Sequence, residues 1–229
     1  MHIPDGYLGP QTYGALYALM APLWFWASRT VKKTLRARQV PLLALGAAFA
    51  FVIMMFNVPT PGGSTGHAVG GALIAIVLGP WAAMLSLSVT LVVQALLFGD
   101  GGLTAIGANT FNMAFIMPFS AYSIYKLLKG KAEAGSKRAL FAAGAAGYLS
   151  LNLSALFTGV ELGLQPLLAH KPDGTPLYNP YPLQIAVPVM AAQHLLFFGW
   201  IEAVVTALVV AYLAKTDPAL LEPSTREKE

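Results

Sequence analysis

Long apolar segments, separated by short polar or turn-forming stretches, occupy almost the whole chain. A helix needs about 20 apolar residues to cross the hydrocarbon core of a bilayer, with a range of roughly 17–25. The pattern predicts seven such spans, at residues 12–28, 41–58, 67–79, 80–98, 104–125, 139–162 and 183–214. The third span is short, and we separate it from the fourth at Gly79-Pro80, because one merged helix would be too long for a bilayer.

The basic residues follow the first, fifth and seventh of these spans. They are Arg29, Lys32, Lys33, Arg36, Arg38, Lys126, Lys129, Lys131, Lys137, Arg138, Lys215, Arg226 and Lys228. With seven spans all of them lie on one side, which the positive-inside rule assigns to the cytoplasm, and only Lys171 falls on the other side. A six-span model breaks this pattern. The expected topology therefore places the N-terminus outside and the C-terminus in the cytoplasm.

The composition fits a chain whose surface faces lipid. Only 10% of the 229 residues are charged and 56% are hydrophobic, whereas soluble domains contain about 25% charged residues. We expect one all-α membrane domain over residues 1–229, multi-pass in a prokaryotic cytoplasmic membrane. The basic residues that give the net charge of +4 lie at the ends of the predicted spans, where they indicate membrane topology. We therefore expect no nucleic-acid partner.

Two further features narrow the chemistry. The chain has no cysteine, which excludes disulfides, thiolate metal ligands and cysteine nucleophiles. The first residues lack the basic start of a signal peptide, so we expect the mature protein to begin at or close to Met1.

The four histidines avoid the predicted cytoplasmic side. The predicted outer side comprises the N-terminus and the loops at residues 59–66, 99–103 and 165–182. His2, His67 and His170 fall there or at its boundary, and His194 lies about ten residues into the seventh span from that side.

A free Met1-His2 terminus is a ready-made chelate. It offers the α-amine, the His2 amide nitrogen and, through Nδ1, the His2 imidazole, which close adjacent five- and six-membered rings around one ion. The amide binds only when it is deprotonated, and Ni²⁺ or Cu²⁺ can drive that loss. Square-planar nitrogen coordination is diagnostic of these two ions, whereas Zn²⁺ prefers a tetrahedron.

His67 is the natural fourth ligand of this plane. It follows the sequence PTPGGSTG at residues 59–66, whose glycines permit sharp turns and close backbone approach. Each residue also has a plainer interpretation. A histidine at position 2 is often an accident of an unstructured terminus, and a histidine after a loop often marks a helix start.

Three motifs resemble those of one transporter family. Residues 1–8, MHIPDGYL, resemble the start of the NikM/CbiM family, the substrate-binding subunits of energy-coupling-factor (ECF) transporters for nickel and cobalt. Residues 61–67, PGGSTGH, are similar to its second signature, and residues 107–113, GANTFNM, to a third. The resemblance covers nearly the whole chain.

The resemblance implies a fold, a metal site and partners. The fold would be a six-helix substrate-subunit core with one additional N-terminal helix. The metal would be held by the Met1 amine, the His2 amide and imidazole, and the His67 imidazole. The partners would be a transmembrane scaffold subunit, two ATPase subunits and often a small accessory membrane protein.

Several polar residues near the predicted site have two interpretations each. Asp5 either orients an imidazole and attracts cations, or shapes a Pro-Asp-Gly turn. Asn57 and Ser64 either hydrogen-bond the ligands or cap local structure. Asn109 and Asn112, at the start of the fifth span, either support the site or link helices.

Three ionisable residues fall within or near apolar spans. His194 either lines the cavity or packs between helices. Acidic groups in a membrane are usually functional or paired. We expect Glu161 near the outer interface and Glu202 facing protein, with no partner assignable.

These features predict a transport subunit and not an enzyme. The chain lacks a GxxxxGK[ST] nucleotide loop and an HExxH motif, so ATP hydrolysis must come from a partner. The expected cargo is Ni²⁺, with Co²⁺ as the second candidate. Two alternatives stay open: a self-sufficient secondary metal permease, and a substrate subunit for an organic vitamin.

Overall fold

The computed structural model describes residues 1–35, 39–60 and 64–221. About 75% of it is helical, as the apolar pattern predicts. Outside the described residues lie several positions used in the sequence analysis, namely Arg36, Arg38, Pro61, Gly62, Gly63, Arg226, Lys228 and the side chain of Ser64.

Ten α-helices follow the chain in the described residues. They are α1 (Pro10–Thr34), α2 (Val40–Met54), α3 (Gly71–Leu78), α4 (Pro80–Val93), α5 (Ile106–Thr110), α6 (Met117–Lys129), α7 (Lys137–Gly163), α8 (Gln165–Leu168), α9 (Leu183–Gln193) and α10 (Gly199–Thr216). Three π-helical segments extend or join them, at Gln94–Phe98, Phe111–Ile116 and His194–Phe198. A 3-10 turn at Pro218–Leu220 follows α10. Strands β1 (Val58–Thr60) and β2 (Ser64–Gly66) pair antiparallel, with Pro59 opposite Thr65.

Each predicted span contains a helix, but the lengths differ from one span to another. In the part of the chain that the structure describes, three continuous stretches are long and apolar enough to cross a membrane: Pro80–Phe98, Lys137–Leu168 and Leu183–Thr216. The apolar helix α2 is shorter, at 15 residues.

The third predicted span is helical over only part of its length. Helix α3 has eight residues and is therefore about 12 Å long, too short to cross a bilayer alone. It begins at Gly71 because Gly70 has a φ of 77°, a left-handed conformation that does not continue a helix. The chain around His67 is consequently an irregular segment inside the fold. The break at Gly79-Pro80 lies where we predicted it, since Gly79 has a φ of 84° and α4 begins at Pro80.

Helix α7 is the central element, and it packs against α6, α9 and α10. Its buried face is built from small residues such as Ala143 and Gly147. A Cβ on Gly147 would lie 3.1 Å from the Glu202 carbonyl oxygen, so α7 and α10 approach with their backbones nearly touching. Large apolar side chains such as Phe141 and Leu208 instead point outward, as in a protein surrounded by lipid.

Glu202 on α10 connects that helix to the irregular segment before α3. Its carboxylate is fully buried and accepts hydrogen bonds from the backbone N–H groups of Val69 (2.8 Å) and Gly70 (2.9 Å). The expectation that Glu202 faces protein is thus confirmed, and its partners are backbone groups at the N-terminal end of α3.

We expect Glu202→Ala to destabilise the protein, because it leaves two buried N–H groups without acceptors. Each unsatisfied group costs about 1–3 kcal/mol, so the melting temperature in detergent should fall by about 5–15 °C. Glu202→Gln retains one acceptor oxygen, so its melting temperature should lie between those of Glu202→Ala and the wild type. The control is Val204→Ala on the exposed side of the same helix. Equal melting temperatures for Glu202→Ala and Val204→Ala would contradict this role.

Candidate metal centre

The first nine residues, which we call the N-terminal segment, begin inside the protein and are exposed only at Asp5 and Gly6. Met1 and Ile3 are fully buried, and His2 is only 4% exposed. The Met1 side chain packs in the main apolar core, among residues that include Met20 and Met54. An unstructured terminus, the plainer interpretation of His2, is therefore wrong.

Hydrogen bonds to the backbone of Ile3 hold this segment in place, as a neighbouring strand would in a sheet. The side-chain amide of Asn109 accepts from the Ile3 N–H (2.8 Å) and donates to the Ile3 carbonyl (3.1 Å). The same carbonyl also accepts from the N–H of Gly102 (2.9 Å). Buried backbone groups need such partners, so Asn109 supplies at one residue what a neighbouring strand supplies in a sheet.

Asp5 holds the exposed middle of the N-terminal segment in place. Its carboxylate accepts from the backbone N–H of Leu103 (3.0 Å), the backbone N–H of Thr104 (2.8 Å) and the Thr104 hydroxyl. Gly6, with a φ of 83°, continues the predicted turn. Of the two interpretations of Asp5, the structural one fits, because its oxygen atoms face the loop and not an imidazole.

The segment brings the terminal amine and two imidazole rings together. The Met1 nitrogen lies 3.2 Å from His67 Nε2 and also donates to the Thr65 carbonyl oxygen. The rings of His2 and His67 have centroids 4.7 Å apart and an interplanar angle of 32°. Residues 65 positions apart in sequence therefore meet in one buried cluster, as the sequence analysis predicts.

The hydrogen bonds of each ring decide which nitrogen presents a lone pair. His2 Nε2 lies 3.1 Å from Gln94 Oε1, which is an acceptor only, so Nε2 carries the proton. His67 Nδ1 lies 3.0 Å from the Ala68 carbonyl and is protonated for the same reason. The free lone pairs are then on His2 Nδ1 and His67 Nε2. His2 Nδ1 is buried and has no hydrogen-bond partner among the described residues.

Burial also leaves the nitrogens of the N-terminal segment uncharged. Desolvation lowers the pKa of the Met1 amine to about 4, although the nearby Asp100 opposes the change. Desolvation and the neighbouring amine lower the pKa of His2 to about 3, although its hydrogen bond to Gln94 opposes the change. Both groups are thus neutral at physiological pH, which is the form that binds a metal ion.

Two contacts from the C-terminal helices position the backbone on either side of His67. A Cβ on Gly66 would overlap the ring of Phe198, so this position admits only glycine without a shift. On the other side, Glu202 holds Val69 and Gly70. His67 is fully buried between these anchors, at the end of β2 and not at a helix start.

The structure places the other predicted residues at varying distances from this cluster. Asn57 donates to Asp100 Oδ1 (3.3 Å) and so reaches His2 only indirectly. Asn112 donates to Glu161 (2.8 Å) and links two helices. Glu161 is 8% exposed and bonded to Asn112 inside the protein, near the C-terminal end of α7. The remaining residue of this group, His170, is exposed on the loop after α8.

His194 is a buried histidine between helices. Its Nδ1 lies 2.8 Å from the Met190 carbonyl one turn earlier, and its ring stands 5.5 Å from that of Phe198. It therefore supports the ring that covers Gly66, which agrees with the helix-packing interpretation.

Two residues in contact with His2 were not predicted. Gln94 binds its Nε2, and Asp100 Oδ1 lies 3.5 Å from its Nδ1. Gln94 had a visible signal, because an isolated amide in an apolar span needs a polar partner. Asp100 resembled an ordinary loop residue between glycines.

Side chains alone do not form a conventional metal site here. In residues 1–35, 39–60 and 64–221, no group of three His, Asp or Glu side chains is arranged to hold a metal ion. A centre at this location needs the terminal amine and the backbone.

The chain is similar to known proteins over nearly its whole length. Residues 2–220 match the family model CbiM, described as the cobalt uptake substrate-specific transmembrane region. The chain belongs to the CbiM family. Among CbiM-type relatives, it is 50% identical over 223 residues to the fused nickel transport protein NikMN of Rhodobacter capsulatus, with 97% of this chain and 64% of that protein covered. It spans just under two thirds of that relative's length.

Two further members of the comparison are similar over the whole chain. The probable fused nickel transport protein LarMN of Lactiplantibacillus plantarum is 51% identical, with all of this chain and 69% of that protein covered. The solved structure of a transition metal transporter superposes with a TM-score of 0.91 at 51% identity and full coverage of both chains. The CbiM fold thus extends from the N-terminal segment to α10.

We expect Gly102→Ala to expose the terminal amine, because a Cβ there would overlap the backbone nitrogen of Asp5. A membrane-impermeant acylating reagent should then label the amine in the variant and spare it in the wild type, as read from the N-terminal peptide by mass spectrometry. Gly14→Ala is the matched control, because its Cβ would meet nothing within 4 Å. If the amine is labelled equally in all three proteins, the N-terminal segment does not shield it.

Proposed function

We propose that this protein is the metal-binding membrane subunit of an ECF-type uptake transporter, and that it binds one Ni²⁺ ion as cargo. The ligands are the Met1 amine, the deprotonated His2 amide, His2 Nδ1 and His67 Nε2. The observation that carries the proposal is the meeting of the terminal amine with two buried rings whose lone pairs are left free by their hydrogen bonds.

The covalent geometry of the terminus favours a planar site. The amine and the amide nitrogen close a five-membered ring around the ion, and the amide and Nδ1 close a six-membered ring. Planarity of the peptide group keeps these donors near one plane, and His67 completes the fourth corner. Four nitrogens in a plane suit Ni²⁺. The names of the two fused relatives support nickel, whereas the family description names cobalt, so Co²⁺ is the second candidate.

The transport cycle requires other subunits. Because the chain has no nucleotide-binding loop, we propose that two ATPase subunits act through a transmembrane scaffold subunit, with a small accessory membrane protein. We further propose a single membrane domain with seven spans, its N-terminus outside and its basic clusters in the cytoplasm. In this arrangement the cluster opens toward the outside, and ATP-driven movement releases the ion inward.

We expect His2→Ala and His67→Ala each to weaken Ni²⁺ binding more than about 100-fold, because mutation of outer-shell residues alone typically costs 10- to 100-fold. One glycine added before Met1 should have a similar effect, since it displaces the amine. Titration calorimetry and the visible absorption of square-planar Ni²⁺ are the measurements. The control is His170→Ala, an exposed histidine. Unchanged affinity in both ligand variants would refute the site.

We expect metal uptake to depend on the partner subunits. Vesicles with this chain alone should accumulate no ⁶³Ni²⁺, and vesicles with all subunits should do so only with ATP inside the compartment that holds the ATPases. Uptake by the chain alone, driven by an ion gradient, would instead establish a secondary permease. Tight binding of a vitamin by a variant with the added glycine would establish an organic cargo.

A further inference from the structure

Asp100 is the partly exposed carboxylate next to the candidate metal centre. It lies in the short loop between the π-helical segment Gln94–Phe98 and α5. Gly99 and Gly101 on either side have φ values of 64° and 93°, so the loop bends sharply toward the N-terminal segment. The side chain of Asp100 is 21% exposed, whereas that of His2 is 3% exposed.

Its contacts leave part of the carboxylate available. Oδ1 accepts from the Asn57 amide (3.3 Å) and lies 3.5 Å from His2 Nδ1, the buried nitrogen with a free lone pair. Among the described residues, no hydrogen bond to Oδ2 is found. Asp100 therefore lies between the protein surface and His2 Nδ1.

The other acids at this end of the molecule are engaged elsewhere. Asp5 uses both oxygens to hold Leu103 and Thr104. Glu161 is buried against Asn112. Asp173 lies in the loop after α8 and accepts from the N–H of Thr175 (2.9 Å). That loop is at the same end of the molecule, because Asn179 within it donates to the Tyr7 carbonyl (3.2 Å).

We propose that Asp100 is the entry ligand of the metal centre, which captures a hydrated divalent cation at the surface and passes it to His2 Nδ1. The proposal rests on the proposed function. Neutral nitrogens exert little long-range attraction on a dication, whereas a carboxylate raises its local concentration. Two donors that share one ion at about 2.1 Å each can lie up to about 4.2 Å apart, and Oδ1 and Nδ1 are 3.5 Å apart.

The capture step is separate from the choice of metal. An oxygen ligand accepts many hydrated divalent ions, so Asp100 acts on the rate of entry. The nitrogens behind it then retain the ions that exchange water for nitrogen and displace the His2 amide proton. A change at Asp100 should consequently alter the association rate more than the final coordination.

The test is stopped-flow binding of Ni²⁺ alone to the full chain in detergent, at low and high ionic strength. Asp100→Asn keeps an oxygen for the Asn57 amide and removes the charge. We expect its association rate to fall about tenfold at low salt and only two- to threefold at about 0.5 M salt, because screening removes the attraction. The visible spectrum of the bound ion should be unchanged, and the dissociation rate should change less than the association rate.

Two variants make the result specific. Asp173→Asn removes an exposed charge from the same end of the molecule and should stay within twofold of the wild-type rate. Asp100→Glu restores the charge and should recover most of the rate, which separates loss of charge from misfolding of Asp100→Asn. A wild-type rate in Asp100→Asn, or an equal slowing in Asp173→Asn, overturns the proposal.

The remaining outcomes are also decisive. An altered spectrum in Asp100→Asn, or failure of Asp100→Glu to recover the rate, overturns the entry role, because Asp100 then shapes the centre itself. Failure of the proposed function looks different, since Ni²⁺ affinity would then be unaffected by His67→Ala whatever Asp100 does.

Discussion

A free amino group buried in an apolar interior has to be neutral, and the architecture around the N-terminal segment follows from that constraint. Charged ammonium is strongly disfavoured away from water, and burial accordingly lowers the pKa of the Met1 amine to about 4. A neutral amine is a ligand, whereas an ammonium group is not. The fold therefore converts an ordinary chain terminus into a donor by enclosing it.

The enclosure depends on hydrogen bonds that never use the free lone pairs. Asn109 and Gly102 make hydrogen bonds to the backbone of Ile3. Asp5 holds the exposed part of the N-terminal segment by accepting a hydrogen bond from Thr104. Gln94 binds His2 from the side away from the cluster. These partners leave His2 Nδ1 and His67 Nε2 unoccupied, and the Met1 nitrogen lies 3.2 Å from His67 Nε2 while it donates to the Thr65 carbonyl oxygen.

Irregular backbone concentrates in the elements that touch this cluster. Two of the three π-helical segments begin at Gln94 and His194, and such segments often mark functional sites. The strand-like residues before His67 and the left-handed Gly70 interrupt what would otherwise be a third full span. Regular helices elsewhere form the apolar outer surface. The irregular segments lie together at the cluster, where polar groups point into the protein.

Sequence reasoning predicted the helical architecture and the meeting of Met1, His2 and His67, but it missed the residues that support them. Apolar length located every long helix, and Gly79-Pro80 marked a real break because both residues act locally on the backbone. His2 was proposed as a ligand because the chelating geometry of a Met-His terminus is itself a local property, and His67 because it follows a glycine-rich loop. Gln94 and Asp100 act through contacts with residues more than 90 positions away, and no local pattern encodes such a meeting. The same reason applies to the hydrogen bond from Asn112 to Glu161, which joins two different helices.

In the proposed site, selectivity divides between covalent geometry and tertiary structure. The terminal dipeptide fixes three nitrogens near one plane whatever the protein does, which disfavours ions that need a tetrahedron or oxygen ligands. The fold supplies only the fourth ligand, His67. It positions His67 by packing Gly66 against Phe198 and by the hydrogen bond from Gly70 to Glu202. Small changes in those anchors would move His67 relative to a plane that cannot adjust. Discrimination between nickel and cobalt in this family would thus be determined by the contacts of Phe198 and Glu202 as much as by the ligands themselves.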